Sequence, residues 1–202
     1  MSSVPPDPYV TQKSIFLRLN APQTRQREIA WEEFEARYAP IIAGFARNLG
    51  ANRQEIDDVI QEVMLGFYKA SPNFKYEPAN GRFRGYLKSC TVHVILSDRK
   101  RRSRLKFSGL PVEDVQASQP DLLNKLWEAQ WEEHIVGRAV NEVRLESQGN
   151  RVFQAFERYV LQGEDPASTA QRLGMSVESV YAAKTRMLRQ IRDRVKQISE
   201  EE

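Results

Sequence analysis

What the chain has little of narrows it before anything else does. A single cysteine, Cys90, among 202 residues excludes an intrachain disulfide and any zinc site built from a cysteine cluster. The two histidines, His93 and His134, lie far apart, and Cys90 with His93 makes one incomplete Cys-x-x-His pair, so all three read as structural. No apolar run is long enough to span a bilayer, which predicts no membrane insertion. The opening MSSVPPDPYV has neither the basic start nor the apolar centre of a signal peptide, so the expected location is the cytoplasm. Strand-like alternation and internal repeats are missing too, which leaves an all-α fold. Positive charge is in only slight excess, +3 net with a pI near 9.0, so a polyanion would have to be met by local patches.

The stretch with the most local specification is DPASTAQRLGMSVESVYAAKTRMLRQIR, Asp165 to Arg192. Pro166 suits a helix start, and a first helix is expected from there to Leu173. Gly174 then permits a tight or left-handed backbone, Ser176 can cap the next helix, and Glu178 in its first turn favours the dipole. Ala170 is small where crossing helices approach, while Leu173, Val180, Met187 and Ile191 recur at helical spacing and can bury together. That is a helix-turn-helix pattern. It leaves Ser176, Glu178, Ser179, Ala182, Thr185, Arg186 and Arg189 for a DNA major groove, Arg186 and Arg189 within reach of phosphates. The plain alternative is a surface helical hairpin with a solvated basic face.

Upstream, TQKSIFLRL carries Ile15, Phe16 and Leu19 on one face and could dock as a helix behind a Pro-rich arm. From Thr24 to Leu49 the apolar residues Ile29, Trp31, Phe34, Tyr38, Ile41, Ile42, Phe45 and Leu49 follow three- and four-residue steps, with a kink or restart expected at Pro40. EIDDVIQEVMLGFYKA, Glu55 to Ala70, turns Ile56, Val59, Ile60, Val63 and Phe67 inward and displays Asp57, Asp58, Gln61, Glu62 and Leu65. SPNFKYEPANG breaks the pattern and holds Phe74 and Tyr76 in a loop that could stack bases. A long helix over Arg82 to Arg102 then places Phe83, Tyr86, Leu87, Cys90 and Val94 inward, with Arg84, Lys88, Thr91, Ile95 and Arg99 on another side. Its end, RKRRSRLK, puts six basic residues in eight positions, as phosphate contact would need. SGLPVEDVQASQP reads as a linker, followed by apolar periodicity at Leu122, Leu126, Trp127, Trp131, Ile135, Val136, Val140 and Val143, and by Val152, Phe153, Phe156, Tyr159, Val160 and Leu161. Trp127 and Trp131 are expected to be a packing stripe.

An acidic helix, an aromatic loop, an Arg-ended helix, a linker and a helix-turn-helix, in that order, resemble a sigma factor of bacterial RNA polymerase, of the short extracytoplasmic-function type with regions 2 and 4 only. EIDDVIQEVMLGFY is similar to the family's acidic motif for the coiled-coil clamp helices of the polymerase, FRGYLKSCTVHVILSDRKRR to the helix that reads the −10 element, and GMSVESVYAAKTRMLRQIR to the helix that reads the −35 element. Departures are Val92-His93 where the family often has Arg-Asn, Asp98 one place late, and VRLESQGNRVFQAF in place of a Leu-Pro step. The resemblance implies an all-α protein of two helical domains on a flexible linker, arranged as an arm over 1–23, region 2 over 24–106, a linker over 107–121 and region 4 over 122–202. It implies Asp58, Gln61, Glu62 and Val63 in the contact with core polymerase, beside Asp57 and Leu65. It implies −10 DNA on Asn73, Phe74, Tyr76, Asn80, Arg82, Arg84, Lys88, Arg99, Lys100, Arg101 and Arg102, with Asn80 in the pocket for a flipped base. The −35 element would be read by Ser176, Glu178, Ser179, Ala182, Thr185, Arg186 and Arg189, Glu178 accepting from a cytosine amine. The implied partners are core RNA polymerase, promoter DNA and an anti-sigma factor, with no cofactor and no catalysis.

Two other readings compete. A stand-alone helix-turn-helix regulator would use only the C-terminal reader. A metal-dependent nuclease would need Glu55, Asp57, Asp58 and Glu62 as ligands, but these line a solvent face with no second acidic group or histidine to close an oxygen cage.

Overall fold

The computed structural model describes residues 12–20, 24–71, 83–105 and 120–201, and among them there is no strand. Eight α-helices follow in order: α1 (Gln12–Leu19), α2 (Thr24–Asn48), α3 (Arg53–Ala70), α4 (Phe83–Leu105), α5 (Pro120–Glu146), α6 (Arg151–Phe156), α7 (Pro166–Leu173) and α8 (Val177–Glu201), with a π-helical turn, Glu157–Leu161, after α6. Two compact units form, one up to His134 and one over Ile135–Glu201. The division falls inside α5. Unit 1 therefore takes in α1 and the first part of α5, both set outside the 24–106 domain by the sequence analysis.

Unit 1 is held by aromatic rings. α1 lays Ile15, Phe16 and Leu19 into the core and leaves Leu17 exposed, so its expected apolar face is the buried one. Phe16 meets Phe34, Phe67 and Phe83 edge-on at 4.9–6.2 Å between centroids. α2 continues through Pro40 without a restart, burying Ala30, Phe34, Tyr38, Ile41, Ile42, Phe45 and Leu49. Ile29, expected inward, is 44% exposed, and Ala30 takes the core position in its place. α3 buries Met64 where Ile60 was expected, because the inward stripe of Ile56, Val59, Val63 and Phe67 passes beside Met64.

α4 differs more. Thr91 and Ile95, expected on the outer side, are buried at 0% and 4%, and the Thr91 hydroxyl is satisfied by donating to the Leu87 carbonyl at 2.8 Å. That side is met by the first part of α5, where Trp127 packs edge-on to Phe45 at 5.1 Å and Trp131 stacks on Tyr38 at 6.3 Å. The two tryptophans are a packing stripe, as the spacing predicts. They also set the face of α5: Leu123, Trp127, Trp131, Ile135, Ala139 and Val143 are buried at four-residue steps, whereas Leu122 and Val136, expected inward, are exposed.

Unit 2 is held by smaller side chains, caps and ions. Val180, Ala183, Met187, Ile191 and Ile198 of α8 are buried, together with Phe153, Ala155 and Phe156 of α6 and Ala170 of α7. Glu142, itself buried, receives Arg138 at 3.0 Å and Arg194 at 2.9 Å, while Arg194 also reaches Glu146 at 2.6 Å. The π-helical turn, which the spacing does not reveal, shows its character in the bond from the Gln162 N–H to the Glu157 carbonyl at 2.9 Å, five residues back. Thr169, fully buried in α7, keeps a hydroxyl with no bonding partner.

Candidate functional site

On unit 1, α3 begins in a capping box: Asn52 Oδ1 accepts from the Glu55 N–H at 3.1 Å and Glu55 Oε2 accepts from the Asn52 N–H at 2.8 Å. With its start fixed and its apolar stripe on α2, the helix turns Asp57, Asp58, Gln61, Glu62 and Leu65 out to solvent, as the periodicity predicts. Leu65 is 48% exposed and adds an apolar side chain to this otherwise polar face. Val63 is buried, so it supports this face from beneath.

Asp57, Asp58, Gln61 and Leu65 border a cleft of about 650 Å³ between α3 and α2, lined also by Ile60, Met64 and Tyr68 and by Trp31, Glu35 and Ala39 of α2, whereas Glu62 is exposed outside this lining. Trp31 and Tyr68 meet edge-on at 5.1 Å on its floor, and the Arg27 guanidinium lies 4.9 Å from the Tyr68 centroid. An apolar floor edged by carboxylates suits a helix with apolar ridges and basic flanks. The α2 wall, Trp31, Glu35 and Ala39, was not expected from the sequence. Its signal was Glu28, Glu32 and Glu35, all exposed at one-turn spacing.

Of the residues expected to hold −10 DNA, Asn73, Phe74, Tyr76, Asn80 and Arg82 lie outside the described residues. Arg99, Lys100, Arg101 and Arg102 fall on the last turns of α4, with Lys100 exposed. Arg84 and Lys88 face the first part of α5: Arg84 pairs with Glu128 and lies 5.5 Å from the Trp131 centroid, and Lys88 donates to Asn124 at 2.7 Å. Spacing on α4 alone could not show that a later helix meets this side.

On unit 2, α7 and α8 meet through a tight turn built as its residues demand. Asp165 caps α7, accepting from the N–H groups of Ala167 at 2.8 Å and Ser168 at 3.3 Å, and its carboxyl is held below the usual range chiefly by Ser168. Gly174 adopts φ 59°, ψ 47°, the left-handed conformation that a side chain would strain. Ser176 Oγ then accepts from the Ser179 N–H at 3.2 Å. Glu178, in the first turn of α8, has its carboxyl lowered by its own backbone N–H and then by the Ser176 hydroxyl. Ser176, Glu178, Ser179, Ala182, Thr185, Arg186 and Arg189 are all exposed, opposite the buried stripe. Among the described residues no group of three or more His, Cys, Asp or Glu side chains is placed to hold a metal ion. No helix among them is long and apolar enough to cross a membrane.

Unit 1 thus carries a cleft edged by carboxylates, and unit 2 a capped helix pair with an outward polar face. Residues 36–105, from within α2 to the end of α4, match the family model of sigma-70 region 2. No curated protein and no solved structure gives a match.

Proposed function

We propose that the chain is a sigma factor of the extracytoplasmic-function type, built of regions 2 and 4, that recruits bacterial core RNA polymerase and directs it to promoters in the cytoplasm without catalysis of its own. The observation that carries this reading is the cleft of unit 1, where Asp57, Asp58, Gln61 and Leu65 converge inside the segment that matches sigma-70 region 2. Asp57, Asp58, Gln61, Glu62 and Leu65 take a helical element of the polymerase, with Val63 beneath them. The segment carrying Asn73, Phe74, Tyr76 and Asn80, with Arg82, Arg84, Lys88 and Arg99 to Arg102, holds the −10 strand. Ser176, Glu178, Ser179, Ala182, Thr185, Arg186 and Arg189 read the −35 element, and an anti-sigma factor controls access to polymerase.

The test is transcription from a pooled promoter library by purified core polymerase with and without the chain. Starts that depend on the chain, at sites sharing two spaced elements, are the expected result, and they should disappear with Asp58→Ala and Glu62→Ala together. Unchanged polymerase binding by that double variant would overturn the docking face. A stand-alone regulator remains the second reading, favoured by the completeness of the capped helix pair in unit 2. Full operator affinity in a fragment lacking unit 1, with no binding of the whole chain to core polymerase, would select it.

A further inference from the structure

The six residues assigned to DNA on α8, with Ser176 just before it, leave one edge of that helix unexplained. Measured from the buried stripe of Val180, Ala183, Met187 and Ile191, the centre of the outward face is half a turn away, and Tyr181 falls between them, roughly 100° from Val180. Tyr181 is 49% exposed, yet its ring is not free to swing: it meets the ring of Tyr159 edge-on, at 5.7 Å and 82°. Lys184, nearly one turn further along and set back toward the buried stripe, has its ammonium 5.3 Å from the centroid of that same Tyr159 ring. One residue of the π-helical turn thus fixes two side chains of the neighbouring helix. The turn is itself pinned, because Glu164 takes both Arg158 at 3.3 Å and Arg172 at 3.0 Å, and Gly163 at φ 71° lets the chain reverse between them. A π-helical turn is rare, and such turns are frequent at functional sites.

A side chain at the edge of a helix lying in a major groove meets the sugar–phosphate wall, while the face centre meets base edges. Tyr181 brings a hydroxyl donor and Lys184 an ammonium, which suits a phosphate oxygen. We propose that Tyr159 is a positioning residue that holds Tyr181 and Lys184 as a clamp for one backbone phosphate of duplex DNA beside the bases read by α8. This rests on the reading of α7 and α8 as a DNA reader. The clamp orders both side chains in the free chain, so that ordering is not charged against binding. It reads no sequence; it sets the register of the helix in the groove.

The experiment measures binding of the full chain to two labelled duplexes, one of arbitrary sequence and one carrying the upstream element recovered by transcription, across a series of salt concentrations. Lys184→Ala should flatten the dependence of log K on log salt by about one and weaken both duplexes alike. Tyr181→Phe removes only the hydroxyl and should weaken both duplexes. Tyr159→Leu keeps apolar bulk but removes the ring face, and should weaken binding about two- to fivefold, as loss of an exposed cation–π contact would, while Tyr159→Phe should bind like the parent. A parent-like salt dependence in Lys184→Ala, or parent-like affinity in Tyr159→Leu, overturns the clamp alone. If the parent chain binds both duplexes equally and Arg186→Ala and Arg189→Ala change nothing, the reader itself fails and the clamp with it.

Discussion

Unit 1 and unit 2 bury their helices by different means. In unit 1, Phe34 alone has five rings, those of Phe16, Trp31, Tyr38, Phe67 and Phe83, at 4.5–6.2 Å. Four helices contribute to that cluster, so each ring is held by residues distant in sequence. In unit 2 the ends of α6 and α7 are fixed by Asn150 and Asp165 within three residues, and α5 is tied to α8 through Glu142 and Arg194. The difference is one of range. Ring packing buries much area without polar atoms but needs the whole unit assembled, whereas caps and a glycine turn specify a shape that two short helices can begin to adopt by themselves.

All three tryptophans, Trp31, Trp127 and Trp131, belong to unit 1, so tryptophan fluorescence follows that unit while far-ultraviolet circular dichroism follows both. This separates the effects of variants. Phe34→Ala should cost about 3–5 kcal/mol, seen as a fluorescence midpoint moved to lower urea, because the cavity opens among rings that cannot collapse onto it. Glu142→Ala should cost about 2 kcal/mol in unit 2: Arg138 and Arg194 lose charged hydrogen bonds in a poorly solvated place, though Arg194 keeps Glu146. A circular-dichroism transition that moves while fluorescence stays is its expected mark. Gly174→Ala should cost about 1 kcal/mol, since φ 59° is unfavourable for any residue with a Cβ. If it costs nothing, the turn is less specified than its backbone implies.

The smallest expected effect is a pH dependence. The folded Asp165 carboxyl titrates below its ordinary value of 3.8, so the unfolded chain binds its proton first as pH falls. The stability this carboxylate contributes is complete above that ordinary value and is lost as pH drops through the lower folded value. Asp165→Asn can still cap α7 but has no charge to lose, so it should flatten this part of the acid limb of unit 2 in circular dichroism, whereas Asp165→Ala should lower stability at neutral pH as well.

The same difference in range decides what was legible in the sequence. The bounds of α7, the left-handed Gly174, the Ser176 cap and the outward set from Glu178 to Arg189 all follow from chemistry acting over a few residues, and the structure places each as expected. The outward acidic set of α3 was legible for a related reason: its stripe is regular and its neighbour α2 precedes it. Thr91 and Ile95 were misplaced because the element that meets their side of α4 comes some thirty residues later. On α5 two adjacent stripes were both apolar, and only the fit of Trp127 and Trp131 against Phe45 and Tyr38 selected between them. The α2 wall of the cleft, Trp31 and Glu35, needed two helices side by side to become visible. The π-helical turn left no periodic mark, since one extra residue in a single turn does not disturb the spacing of Phe153 and Phe156 before it.

Thr169 carries a consequence for anyone wishing to engineer the chain. Its hydroxyl is fully buried and unbonded, so it brings the desolvation cost of a polar atom with no return from a hydrogen bond. Valine has nearly the same shape and nothing to desolvate. The substitution lies on the inner side of α7, away from the exposed face of α8, so a more stable unit 2 is within reach by one change that leaves its outward side chains untouched.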